Sequence, residues 1–203
     1  MADRDNEYER CMDMAAVQLS RFHWTRVIAK FATKTEGRDF GHIEDVEVRF
    51  DVEAASALRE KLVPVAYYRD REASYMVLEY HEVRFNPINV KSELKNNLPL
   101  WVLDVPEIPG YITGLGAVGR YRYVAESIYQ ADKMALASIA RQKAIEVKAK
   151  QENYEDSRGS TRYRDVNLEL TDTVLQGAYI IARWRSLDGN NYYSLAIYPS
   201  EKK

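Results

Sequence analysis

Two stretches of the chain run through the same order of elements at a near-constant offset, Asp45 matching Asp165 and Tyr80 matching Tyr198. The first is a helical run with Ala15, Ala16, Leu19 and Phe22, then an alternating strand from Asp45 to Phe50, then a hairpin ending at Tyr75–Tyr80. The second is a helical run with Ile128, Ala131, Ala135 and Ile139, then a strand from Asp165 to Leu170, then a hairpin ending at Tyr192–Tyr198. This recurrence implies an α+β chain built as a tandem repeat of a long helix packed on a small antiparallel β-sheet. Residues 1–95 form the first unit and 96–203 the second. A duplicated helix-on-sheet layer is not the layout of a usual enzyme site. It points to a scaffold or binding protein that needs no cofactor.

The periodicities place the elements. Met12, Ala15, Ala16, Leu19, Phe22 and Val27 recur at three- and four-residue steps, which predicts a helix over about 5–33. Val46, Val48 and Phe50 alternate as in a half-buried strand. Ala54, Ala55, Ala57 and Leu58 suit one or two helical turns. Strands are expected at 63–69 and 75–83, with the turn at Asp70 to Ser74. Four prolines, Pro87, Pro99, Pro106 and Pro109, punctuate the connection between the units, although Leu98 to Leu103 are apolar enough to dock on a core. A strand over Tyr111–Val118 feeds a helix over about 121–150, roughly 45 Å long at 1.5 Å per residue. That is longer than one small sheet needs, and it reads as a packing helix rather than a coiled coil. Gln151 to Thr161, with Gly159, is a polar loop. Strands follow at 163–170, 177–185 and 192–198, and Leu187 to Asn191 has turn chemistry.

Charge and composition narrow the function. The formal charge is −2 and neither half is basic, which argues against a nucleic-acid binder. One cysteine, Cys11, excludes an internal disulfide and a cysteine-rich zinc site. No run approaches a transmembrane helix, and the first residues have no apolar segment behind them. Fifteen tyrosines against five phenylalanines fit strands with one face half wet.

Gly114, Gly116 and Gly119 match G-x-G-x-x-G, between an expected strand and an expected helix. The helix is too long for a nucleotide-binding crossover, and no acidic strand end follows near 135–140. A tight turn with no room for side chains is the favoured role. The alternative is an enzyme or binding protein for a nucleotide or phosphate ligand, held by the amides of Gly116 to Gly119 with Arg120 and Arg122. His23, His42 and His81 have Glu44, Glu79 and Glu82 nearby but no clear third metal ligand. Cys11 and His23, about 18 Å apart along one helix, do not form a nucleophile–base pair. Tyr121, Tyr123, Arg183, Trp184 and Arg185 form aromatic–arginine clusters of the kind enriched in protein interfaces, as do Tyr163 and Arg164. Strand alternation puts Trp184 with Ile180 and Ala182, and Arg183 and Arg185 on the other side with Tyr179 and Ile181. The first five are the candidate interaction residues.

Pro99 to Asp104, Tyr111 to Gly116, the helix with Ala125, Ala131, Ala135, Ala137 and Ala140, Ala182 to Arg185, the Asp188-Gly189 turn and Tyr193 to Ile197 follow one another in an order that resembles the LPP20-like lipoprotein family of bacterial envelopes. Residues 8–84 resemble the same unit more faintly. The resemblance implies an exported, non-enzymatic cell-envelope protein acting through protein–protein contacts, in flagellar or outer-membrane assembly. It brings no catalytic residues. Its implied partners are other envelope or flagellar proteins, or a second copy of the chain. Cys11 follows Tyr8, Glu9 and Arg10, which is not a lipobox, so membrane attachment would need a lipid anchor absent from this chain. The expected location is the periplasm or outer membrane if an export segment was removed, and the cytoplasm otherwise.

Overall fold

The computed structural model describes residues 6–34, 40–83, 88–91, 93–155 and 166–200. Gly37, Asn86, Pro87, Gly159, Tyr163, Arg164 and Asp165 lie outside the described residues. Helix α1 (Glu7–His23) buries Met12, Ala16 and Leu19 at three- and four-residue steps. It stops well short of the expected boundary near 33, because Trp24 is already extended (φ −158°, ψ 126°). Strand β1 (Thr25–Lys34) follows. Thr25, Val27 and Ala29 are fully buried, and they alternate with Arg26, Ile28 and Lys30. That two-residue period, rich in β-branched side chains, overrides the single match of Val27 to the helical stripe.

Strand β2 (Phe40–Phe50) pairs antiparallel with β1 from Thr25↔Phe50 to Lys34↔Phe40. Asp51 then caps α2 (Val52–Arg59), its carboxylate accepting the Ala54 N–H at 2.9 Å. Strands β3 (Val63–Arg69) and β4 (Ser74–Glu79) form a hairpin. The Asp70 carboxylate ties its turn by accepting the N–H groups of Glu72 (2.7 Å) and Ala73 (2.8 Å).

The proline-punctuated connection contains the short strands β5 (Leu94–Lys95) and β6 (Leu98–Pro99), joined through Asn96 and Asn97 at φ 54° and 61°. Helix α3 (Leu100–Leu103) docks Trp101 into the core but leaves Leu103 exposed. Then come β7 (Tyr111–Gly119), α4 (Val124–Glu155), β8 (Val166–Leu175), β9 (Tyr179–Arg185) and β10 (Asn191–Pro199).

The protein is therefore mixed α and β with small antiparallel sheets, but the strands do not group as two self-contained units. One sheet has the order β2-β1-β8 and another β7-β10-β9, while among the described residues β3 and β4 pair only with each other. The strand from 166 lies against β1 of the first half, not beside β9 and β10. Its expected place is taken by β7. The ladder from Thr25↔Leu175 to Lys34↔Val166 thus bridges the boundary drawn at residue 95. Helix α4 packs on β7, β10, β8, β1 and β2. One core results, with Val27 and Ala29 of β1, Leu136 and Ile139 of α4, and Leu175 and Ala196 in a single cluster. The middle of α4, from Ser127 to Ala140, is the part buried against the sheets.

Candidate functional site

The glycine motif lies inside β7 rather than at a strand-to-helix turn. Gly116, Ala117, Val118 and Gly119 pair in register with Ser194, Tyr193, Tyr192 and Asn191 of β10, and α4 begins only at Val124. A β-carbon on Gly114 would stand 2.3 Å from the Ala135 carbonyl oxygen, and one on Gly116 2.0 Å from that of Ala131. These two glycines let α4 lie directly on the strand. The expected lack of room holds for Gly114 and Gly116 but not for Gly119, and its cause is helix–sheet contact, not a turn. The phosphate-binding geometry, amides gathered at a helix N-terminus, is not the geometry of these residues.

The five aromatic–arginine candidates come from two elements, Tyr121 and Tyr123 from the β7–α4 connection and Arg183, Trp184 and Arg185 from β9. Tyr121 and Tyr123 are exposed in the β7–α4 connection, where Ser127 Oγ accepts the Tyr121 N–H at 2.9 Å and Arg122 lies over the Tyr123 ring at 5.3 Å. On β9 a bulge breaks the expected alternation, since Ala182 pairs with Leu195 but Ile180 pairs with Ala196, leaving Ile181 as the extra residue. Ile180 therefore packs against the α4-side core, whereas strict alternation put it with Trp184 on the other side from Arg183. Trp184 is half-buried, and its Nε1 is buried without a partner.

Arg183 and its register partner Ser194 both reach Asp132 of α4. Arg183 donates Nε and Nη2 to the two carboxylate oxygens at 3.0 and 2.9 Å, and Ser194 Oγ donates at 2.7 Å. Asp132 is 2 % exposed, so this pair fixes β9 and β10 onto α4. Arg183 Nη2 also donates to Gln18 of α1 at 3.1 Å. Arg185 lies 5.8 Å from the Tyr192 ring centroid and donates to Glu72 at the tip of the β3–β4 hairpin, holding the Glu72 carboxyl below its ordinary value. Both arginines serve internal ion pairs while keeping about a third of their side chains exposed.

Between α1, α4, β9 and the β3–β4 hairpin lies a cavity of about 440 Å³. Leu19, Phe22, Leu78, Leu136, Ala178 and Ile180 supply its apolar wall. Arg21, Gln18, Asp132 and Arg183 bring polar groups to it, and Tyr80 and Tyr179 add phenols. Burial raises the Tyr179 pKa, which keeps that phenol neutral. Arg21 is 5 % exposed, and its buried Nε and Nη2 have no hydrogen-bond partner among the described residues. The rings of Tyr129 and Phe50 stand 4.5 and 5.3 Å from its guanidinium carbon.

Sequence reasoning passed over Arg21 and Asp132. For Asp132 a signal existed, because it stands four residues from both Ile128 and Leu136 on the apolar side of α4. For Arg21 none existed, because the rings against it come from β2 and α4.

His23 and His81 are exposed; His23 packs edge-on to Tyr80, and His81 Nε2 is 3.8 Å from Glu79. Among the described residues, no three His, Cys, Asp or Glu side chains stand close enough to hold a metal ion. Cys11 is half-buried with its Sγ 3.8 Å from the Ser74 carbonyl oxygen, and burial raises its pKa, so the thiol is not activated. No helix among the described residues is long and apolar enough to cross a membrane. No family model, curated protein or solved structure matches the chain.

Proposed function

We propose that the protein is a non-enzymatic component of the bacterial cell envelope that binds other proteins in a flagellar or outer-membrane assembly. The β3–β4 hairpin carries the binding part of this reading. Val63, Val65, Tyr67, Tyr68, Tyr75 and Val77 are all exposed on it. Among the described residues strand β3 pairs with β4 alone, which leaves its outer edge for a further strand. Tyr68 and Tyr75 pair across the strands and share their face with Val77, while Tyr67 is on the opposite face against Tyr8. An exposed tyrosine–valine face beside a strand edge suits a protein partner. The envelope part rests on the resemblance of Pro99 to Ile197 to LPP20-like lipoproteins.

The test is a photo-cross-linking phenylalanine analogue placed at Tyr68 in the native cell. The expected result is an adduct with a specific envelope protein, lost when Val77→Glu is added. An adduct with a second copy of the chain alone would turn the reading into self-assembly. A folded, expressed protein that gives no adduct, or fractionates away from the envelope, would sink it.

A further inference from the structure

We infer that the cavity between α1, α4, β9 and the β3–β4 hairpin binds an uncharged aliphatic molecule. The polar groups of its wall are engaged with the protein. Asp132 takes one bond from Arg183 on each carboxylate oxygen, and Ser194 adds a third. That pair cancels in charge across 2.9 Å, and Arg183 spends a further bond on Gln18 at the exposed rim. The Arg21 Nε and Nη2 atoms are enclosed by protein, out of reach of anything in the space. The Tyr80 hydroxyl donates to Glu82 at 2.8 Å, and Tyr179 shares a hydrogen bond with Tyr111. An occupant therefore meets the rings of these tyrosines rather than free hydroxyls.

The rest of the wall is carbon and only partly covered. Phe22, Leu62, Leu78, Ile180 and Ile181 all line the space, and each stays half-buried in the folded chain. Removing such surface from water drives association. The bulge on β9 adds to this wall. A regular strand turns neighbouring residues to opposite faces, but the extra residue Ile181 breaks that alternation, and both Ile180 and Ile181 belong to the lining. The volume of about 440 Å³ falls in the range of sites for small organic molecules. A charged body would lose its hydration there and meet no uncancelled opposite charge within reach. The inference does not depend on the envelope assignment or on what docks at the hairpin, because Leu78 points to the opposite face of β4 from the exposed Tyr75 and Val77.

The experiment is methyl-detected NMR of the full chain at pH 7, titrated separately with 1-hexanol, 1-octanol, octanoate and octylamine, which is protonated at that pH. 1-Octanol should saturate one site and give nuclear Overhauser contacts to the methyls of Leu78 and Ile180. Each methylene added from hexanol to octanol should tighten binding about fourfold. Octanoate and octylammonium should bind at least about tenfold more weakly than 1-octanol. Ala15→Phe, which adds a ring to the α1 wall, should remove the octanol site. Ile181→Asp, which places a carboxylate in the β9 wall, should weaken it, and either variant serves if the other fails to fold. No saturable shift from wild type up to the solubility limit of 1-octanol would overturn the inference, as would contacts only to methyls outside the cavity or undiminished binding by a folded variant. Octanoate or octylammonium binding as tightly as 1-octanol would overturn the uncharged assignment.

Discussion

A β-carbon on Gly116 would lie 2.0 Å from the Ala131 carbonyl oxygen and 2.4 Å from the Ala135 amide nitrogen, both backbone atoms of a buried helix that cannot rotate away. On Gly119 the nearest atom would be the Asn190 carbonyl oxygen at 4.0 Å. Two glycines of one motif therefore differ in what they are for. Gly116→Ala should force α4 off β7 and cost about 1–3 kcal/mol or more. Gly119→Ala should stay within about 0.5 kcal/mol of wild type. Urea unfolding of the two variants checks this, and equal losses would mean that close helix–strand approach is not the reason for the glycines. The lack of room was legible in the sequence because three glycines in six residues mean backbone contact of some kind. The partner was not legible, since the same letters serve a phosphate, a turn or a helix.

At the scale of the element, the β3–β4 hairpin pairs with no further strand among the described residues. A two-stranded hairpin is marginal by itself in water, so its tethers matter. They include Tyr67 packed edge-on to Tyr8 with ring centroids 5.5 Å apart, Arg69 Nε 3.1 Å from a Glu7 carboxylate oxygen, the Ser74 hydroxyl donating to Glu7, and Glu72 accepting from Arg185. The hydrogen bond from Arg185, then its charge, lowers the Glu72 pKa. A depressed carboxylate contributes stability that is present above its unfolded value, about 4.3, and is lost as the pH falls through the lower folded value. Acid should therefore loosen the hairpin tip before the core opens. Glu72→Gln should show the same loosening at neutral pH, read as faster amide exchange in β4 with β10 unchanged. Both carboxylate and arginine are largely solvated, so the effect should be local and salt-sensitive. Unchanged β4 exchange in the variant would mean that the hairpin is held by its α1 contacts alone.

Over the whole molecule, β1 is the strand that joins the halves. It carries β2 on one side and β8 on the other, and Val27 and Ala29 from it enter the core under α4. The Gly177 N–H adds a 2.7 Å bond to the Phe22 carbonyl, tying the β8–β9 link to the end of α1. A chain cut at residue 95 removes β1, the strand that pairs with β8, and exposes the α4 face that covers β1. Residues 96–203 expressed alone should lack a cooperative thermal transition, and mixing them with residues 1–95 should restore one by circular dichroism. A cooperative melt of 96–203 alone would show that the second half is an independent domain after all.

Periodicity by itself located most of the elements, because side-chain period follows directly from backbone geometry. Strands β3, β7, β9 and β10 lie where expected within two residues, but β4 stops at Glu79 rather than 83, and α4 runs on to Glu155 into the stretch expected to be a loop. Periodicity failed where one short segment satisfied both periods, as at Val27, and the packing of β1 between two strands decided for the sheet. Which strands pair was decided by tertiary structure alone. Two antiparallel strands of similar alternation are equally good neighbours for several others, and only the path of α4 across both sheets selects β1 for β8 and β7 for β10. The cavity belongs to the same class of fact. Arg21 becomes a buried, unpaired charge only when Phe50 from β2 and Tyr129 from α4 close over it, and no spacing along the chain encodes that meeting.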